Sequence, residues 1–233
     1  MLKNQKLNVS KTLVRETSKL KRPRKTRGLF KTQDILYNIY MSESKSLLLH
    51  TRCAPCSVYC IDSLRKEEIE PTVFWYNPNI HPYIEYKTRR DCLKGYLKSI
   101  KVKGIFKENY GLDEFCKNAI KDLENRCVKY CYRARLSETV KFAKENGYEF
   151  FSTTLLVSPY QKHEELKAVC EELAELSGVK FLYRDFRVGF REGQKKAREL
   201  GMYMQKYCGC IFSEEERYKK QIEKDLQSGL IEI

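Results

Sequence analysis

The chain has 233 residues, long enough for one buried core with a tail, and its 45 Lys/Arg against 31 Asp/Glu give a net charge of +14. No run approaches the eighteen or so apolar residues of a membrane span, and no apolar leader opens the chain, so the expected setting is cytoplasmic with no membrane partner. In such a reducing compartment ten cysteines read as metal ligands or catalytic thiols, not as structural bridges.

The charge is uneven. Residues 1–45 hold twelve Lys/Arg against three Asp/Glu, and six of the nine residues in Lys19–Arg27 are basic. A basic, disordered N-terminal extension is expected there, contributing at most salt-sensitive contact with a polyanion. Met41 opens MSESKSLLLHT, an ordinary approach to a first strand, so residues 1–40 are expected to be dispensable for folding. From Ser46 the pattern alternates. Strand Ser46–His50 is followed by helix Ser57–Lys66, strand Thr72–Tyr76 and helix Tyr83–Ile100. Next come strand Val102–Phe106, helices Leu112–Leu123 and Cys131–Asn146, and strand Tyr148–Thr153. Helix Tyr160–Leu176, strand Lys180–Tyr183 and helix Gly193–Leu200 follow, with Gly147 and Gly178 as helix stops. Residues 46–216 thus predict one α/β catalytic domain, and 217–233 a charged C-terminal helix or tail. The implied architecture is a three-layer, mostly parallel sheet with helices on both faces, which binds ligands beyond the carboxyl ends of its strands. His50–Cys56 lies at such an end.

Three cysteine sites carry the chemistry. Cys53-Ala54-Pro55-Cys56 follows the first strand, where a helix N-terminus stabilises thiolates; alone it reads as a redox pair, half a metal site, or two buried small residues. Cys127 and Cys131 are four apart, one helical turn, and two such segments can complete a four-thiolate iron–sulfur site, although zinc accepts similar ligands. Cys208-Gly209-Cys210 closes too short a loop to serve as a staple, which favours a redox-active pair over metal ligation. Cys60, Cys92, Cys116 and Cys170 lack partners at ligand spacing and are assigned to packing.

Six ordered motifs between residues 46 and 216 carry a resemblance: HxxCAPC, YNPNIHP (Tyr76–Pro82), CYxxRL (Cys131–Leu136), TTLLVSPY (Thr153–Tyr160), FLYRDFRVGF (Phe181–Phe190) and QKYCGCIFSE (Gln205–Glu214). Together they resemble the QueH family of epoxyqueuosine reductases. The resemblance implies a HUP-like nucleotide-binding fold and reduction of the epoxide of epoxyqueuosine at the wobble position of tRNAs with GUN anticodons. It also implies a [4Fe-4S] cluster with a further iron close by, a redox-active disulfide at Cys208 and Cys210, and an external electron donor. On this reading Cys53, Cys127 and Cys131, with Cys56, hold the cluster, and Tyr76, Asn77, Tyr132, Arg135 and Arg187 are candidate substrate contacts. Two departures stand out. The family has adjacent cysteines before Ala-Pro-Cys where this chain has Arg52-Cys53, and its second pair is spaced RCxxCY where this chain inserts one residue. Arginine cannot ligate iron.

Modified-base chemistry requires the base to leave its stack. Phe74-Trp75-Tyr76, Tyr83 and Tyr86 are candidate stacking surfaces, although alternating strand residues are more often core. Arg89, Arg90, Arg133, Arg135, Arg187 and Arg191 are candidate phosphate contacts, each more often a solvated surface charge. Rival readings are a non-redox zinc protein that binds tRNA, a homologue inactivated by Arg52, a thioredoxin-like oxidoreductase, and an ATP-dependent tRNA enzyme. The last lacks its Gly-rich phosphate loop after the first strand.

Overall fold

A computed structural model describes residues 46–229; the predicted basic extension lies outside them. Strand β1 (Leu47–His50) is buried at every position, as a central parallel strand covered on both faces must be. Around it lie β2 (Thr72–Trp75), β3 (Gly104–Phe106), β4 (Phe150–Thr153) and β5 (Lys180–Phe181) in the order β3-β2-β1-β4-β5, and every pairing is parallel. The sheet is therefore parallel throughout among the described residues. Leu48 stands between Thr72 and Phe151 in the register.

The connections are α1 (Ala54–Lys66), α2 (Tyr83–Ser99), α3 (Leu112–Ala119), α4 (Arg133–Glu145), α5 (His163–Ser177), α6 (Phe190–Glu199) and α7 (Ile211–Gln227). Right-handed crossovers running outward from β1 in opposite directions put α1 and α2 on one face and α4 and α5 on the other. The packing agrees: α1 contacts α2 and α6, and α4 contacts α5.

Three local differences from the sequence reading bear on the site. Helix α1 starts at Ala54, not Ser57, because Pro55 is compatible with a first helical turn, where its missing N–H costs nothing. Before α4, the residues Cys127–Tyr132 form a π-helical turn, whose i to i+5 bonding takes up one residue more than an α-turn. Tyr160 is not helical: β4 runs into a 3₁₀ turn, Thr154–Val157, and α5 begins only at His163.

A second 3₁₀ turn, Phe186–Gly189, feeds α6 against α1. A Cβ at Gly189 would lie 2.0–2.1 Å from ring atoms of Tyr59. Gly189→Ala is thus expected to destabilise the fold by about 1–3 kcal/mol, typical of overpacking. Urea unfolding of Gly189→Ala, Tyr59→Ala and the double variant should reveal a coupling of similar size, and strict additivity would contradict the contact.

Candidate functional site

The sheet order reverses between β1 and β4, and the ends of these strands are locked together there. His50 Nδ1 accepts from Thr153 Oγ1 at 2.9 Å while Nε2 faces the Tyr76 carbonyl at 3.3 Å. Burial, with Arg135 nearby, pushes His50 down to about 3, so it is a neutral strut. Beyond this point opens a cleft of about 980 Å³ whose lining includes Arg52, Cys56, Cys127, Cys131, Cys208 and Cys210. Cys53, fully buried, lies directly behind Cys56.

Helix starts bring the thiols here. Cys53 is the N-cap residue of α1 and Cys210 that of α7, while Cys127 lies in the π-turn that opens α4. Such ends present unpaired backbone N–H groups to whatever occupies the cleft. Burial opposes charge on Cys53, but the bond donated by Cys56 and the Arg52 guanidinium prevail and bring it down to about 5. Cys56, as donor in that bond and itself buried, is pushed up. The second pair repeats the pattern. The bond from Cys131 holds Cys127 down at about 6 against its burial, with Arg126 and Arg135 assisting, and Cys131 is pushed up.

The Cys208-Gly209-Cys210 segment has no regular structure and is held from outside. Arg89 Nη1 donates to the Cys208 carbonyl at 2.8 Å and Nη2 to that of Tyr207 at 3.0 Å, while its Nε binds Glu85 at 2.7 Å. Arg52 Nη1 reaches the Cys208 carbonyl at 3.3 Å and its Sγ at 3.4 Å, and Nη2 donates to Cys56 Sγ at 3.2 Å. The His81 N–H binds the Gly209 carbonyl at 2.7 Å, and Tyr207 Oη donates to the His81 carbonyl at 2.7 Å. Gln205 Nε2 donates to Cys53 Sγ at 2.9 Å. All ten cysteines are free thiols, Cys208 and Cys210 included.

The remaining candidates fall less neatly. Tyr132 and Arg135 line the cleft; Tyr132 Oη binds Gln161 at 3.0 Å and Arg135 Nε the Cys131 carbonyl at 2.8 Å. Asn77 is buried, donating to the Thr51 carbonyl at 3.0 Å, and Tyr76 Oη accepts from Asn109; neither lines the cleft. Arg187 is exposed on the second 3₁₀ turn and pairs with Asp185. Phe74, Trp75 and Tyr86 are core residues, so they offer no stacking face. Cys60 and Cys170 are buried in the main core and Cys92 packs against its margin, while Cys116 packs against a separate small cluster with Phe115, Cys131 and Cys210. Gln205 and Gln161 escaped the sequence reading as parts of the site; Gln205 was visible only as a neighbour of the CGC motif, and no local pattern marks Gln161. Arg89, expected as a phosphate contact, is instead buried and spent on the Tyr207 and Cys208 carbonyls.

The donor set can be tested for fit to a soft metal group. Among the described residues no three Cys, His or carboxylate side chains are gathered closely enough to hold a metal ion. Cys56, Cys127 and Cys131 nevertheless line one cleft, Cys56 bonded to buried Cys53 and Cys131 to Cys127, and thiolate is the donor that iron–sulfur clusters take. Buried polar atoms there, Arg52 Nε, Arg135 Nη1 and Gln205 Oε1, have no partner in the protein. Their chemistry fits a thiolate-bound group with polar ligands beside it.

A parallel doubly wound sheet with a cysteine-lined cleft at its switch point defines a three-layer α/β protein. The profile of the family described as epoxyqueuosine reductase QueH matches residues 47–216, and the chain belongs to that family. It is 36% identical over 174 residues to the epoxyqueuosine reductase QueH of Dehalococcoides mccartyi, spanning 75% of this chain and 95% of that one. To the Thermotoga maritima protein of the same name it is 35% identical over 194 residues, spanning 79% and 98%. Among solved structures, a predicted tRNA methyltransferase subunit from Methanocaldococcus jannaschii is similar at TM-score 0.38 and 14% identity, over 77% of this chain and 88% of that one. Nothing further follows from that slight likeness.

Arg89 is 1% exposed and Glu85 8%. Arg89→Ala strands a buried carboxylate and frees the CGC segment, so it is expected to cost about 3–5 kcal/mol in urea unfolding. Cys208 should then be alkylated faster under native conditions. Parental stability and alkylation rate would show that the segment is held by other means.

Proposed function

We propose that this chain is an epoxyqueuosine reductase acting on tRNA. The observation that supports this reading is the convergence of Cys56, Cys127, Cys131, Cys208 and Cys210 on one cleft, with Cys53 behind them. Removing an epoxide oxygen as water takes two electrons and two protons. The Cys208 and Cys210 thiols supply both: their S–H bonds break, an S–S bond forms, the two carbon–oxygen bonds of the epoxide break to leave the alkene, and oxygen departs as water. An external dithiol-type donor then reopens the disulfide. Gln161 Nε2 and Arg52 Nη1 lie 3.7 Å and 3.4 Å from Cys208 Sγ and orient that thiol.

Cys53, Cys127 and Cys131, with Cys56 as fourth thiolate, would hold a [4Fe-4S] cluster, which supplies single electrons and Lewis acidity when bound. Arg52, where the family resemblance places a further cysteine, adds positive charge and no ligand. It occupies a hydrogen-bonding position between Cys56 and Cys208 instead. No helix of the described residues is long and apolar enough to cross a membrane, and a reducing cytoplasm is the setting that suits ten free thiols.

The test is anaerobic reconstitution with iron and sulfide, then turnover of tRNA carrying epoxyqueuosine. The Cys208→Ser/Cys210→Ser variant should lose reduction while keeping its iron and acid-labile sulfide; loss of both would make these thiols ligands. Stoichiometric zinc without labile sulfide in the parent would favour the non-redox reading.

Arg52→Cys should raise iron per chain above the parent and Arg52→Met should not, because only the former adds a thiolate. Equal iron in all three would mean that the existing cysteines complete the ligand set.

A further inference from the structure

The cleft lining holds eight Lys/Arg side chains and a single carboxylate, Glu216, which is tied to Arg126. Elsewhere on the surface arginines are neutralised: Arg65, Arg90, Arg133, Arg184 and Arg187 each pair with a carboxylate. Among the described residues, exposed Arg191 and Arg198 make no such pair. They stand seven apart on α6, two turns along one face, and both border the cleft. An unneutralised pair beside a pocket is an electrostatic footprint for a polyanion.

At the same lip stands Tyr160, 83% exposed. Its ring meets Phe190 at 6.0 Å and 82°, an edge-to-face contact that fixes the ring's attitude and leaves most of it open to solvent. The 3₁₀ turn that ends β4 and the start of α5 carry it there, so a rigid scaffold presents an aromatic ring at the mouth of the thiol cleft. An exposed ring flanked by unpaired arginines is the combination by which proteins hold single-stranded nucleic acid.

We propose that Tyr160 is a stacking platform for a base of a single-stranded RNA loop, with Arg191 and Arg198 gripping the adjoining phosphates. The neighbouring nucleotide is thereby delivered into the cleft. This rests on the tRNA reading above and names the residues that would engage the loop; Tyr160 and the two arginines are positioning residues.

The test uses the full chain and a short anticodon stem-loop RNA, titrated by fluorescence anisotropy across a salt series. Tyr160→Ala should weaken stem-loop binding roughly tenfold without changing the salt slope, and Tyr160→Trp should restore it. Arg191→Ala/Arg198→Ala should lower the salt slope by about two. A loopless duplex should bind the parent and Tyr160→Ala alike. Parental affinity of Tyr160→Ala for the stem-loop, or an equal loss on the duplex, would overturn the platform while leaving the tRNA reading intact. A parent with no salt-dependent affinity for the stem-loop would overturn that reading, and the platform with it.

Discussion

Two buried guanidinium groups hold this site together. Arg52 and Arg89 are 6% and 1% exposed, and a charge removed from water survives only where hydrogen bonds replace its hydration. The replacements come from the Tyr207 and Cys208 carbonyls, the Glu85 carboxylate and the sulfurs of Cys56 and Cys208. Those partners dictate the path of a segment with no ladder of its own. Gly209 follows from that path: its φ is 148°, and a Cβ would lie 3.2 Å from Ile80 and 3.3 Å from Arg89 Nη1.

The same charge sets the state of the thiols. Cys53 and Cys127 are each the acceptor of a cysteine pair beside arginine, and each is held low; their partners Cys56 and Cys131 stay protonated. A group that takes up thiolates would meet one prepared sulfur on each of two segments. Arg52 therefore has two effects. It stabilises thiolate at Cys53, and it occupies the position where the family resemblance places another sulfur. The π-turn at Cys127–Tyr132 carries both cysteines of the second pair and runs directly into α4.

Net charge acquires meaning only after pairing is known. A formal +14 describes a basic protein, yet carboxylates cancel most surface arginines of the described domain. Eight Lys/Arg side chains against one carboxylate line the cleft, where a polyanion would be steered and the aromatic lip meets it.

By itself the sequence determined the alternation of strands and helices, the parallel class of the sheet, and the presence of three closely spaced cysteine pairs. These depend on apolar periodicity and short spacings, which act between residues a turn or a strand apart. Tertiary structure alone decided the start of α1 at Ala54, the π-turn and the exposure of Tyr160. It also decided which charges are spent. Arg184 meets Glu67 and Arg52 meets Cys208 across more than a hundred residues of chain. No local pattern records such partnerships, because a guanidinium's role is set by whichever acceptors the folded chain brings within about three ångströms of it.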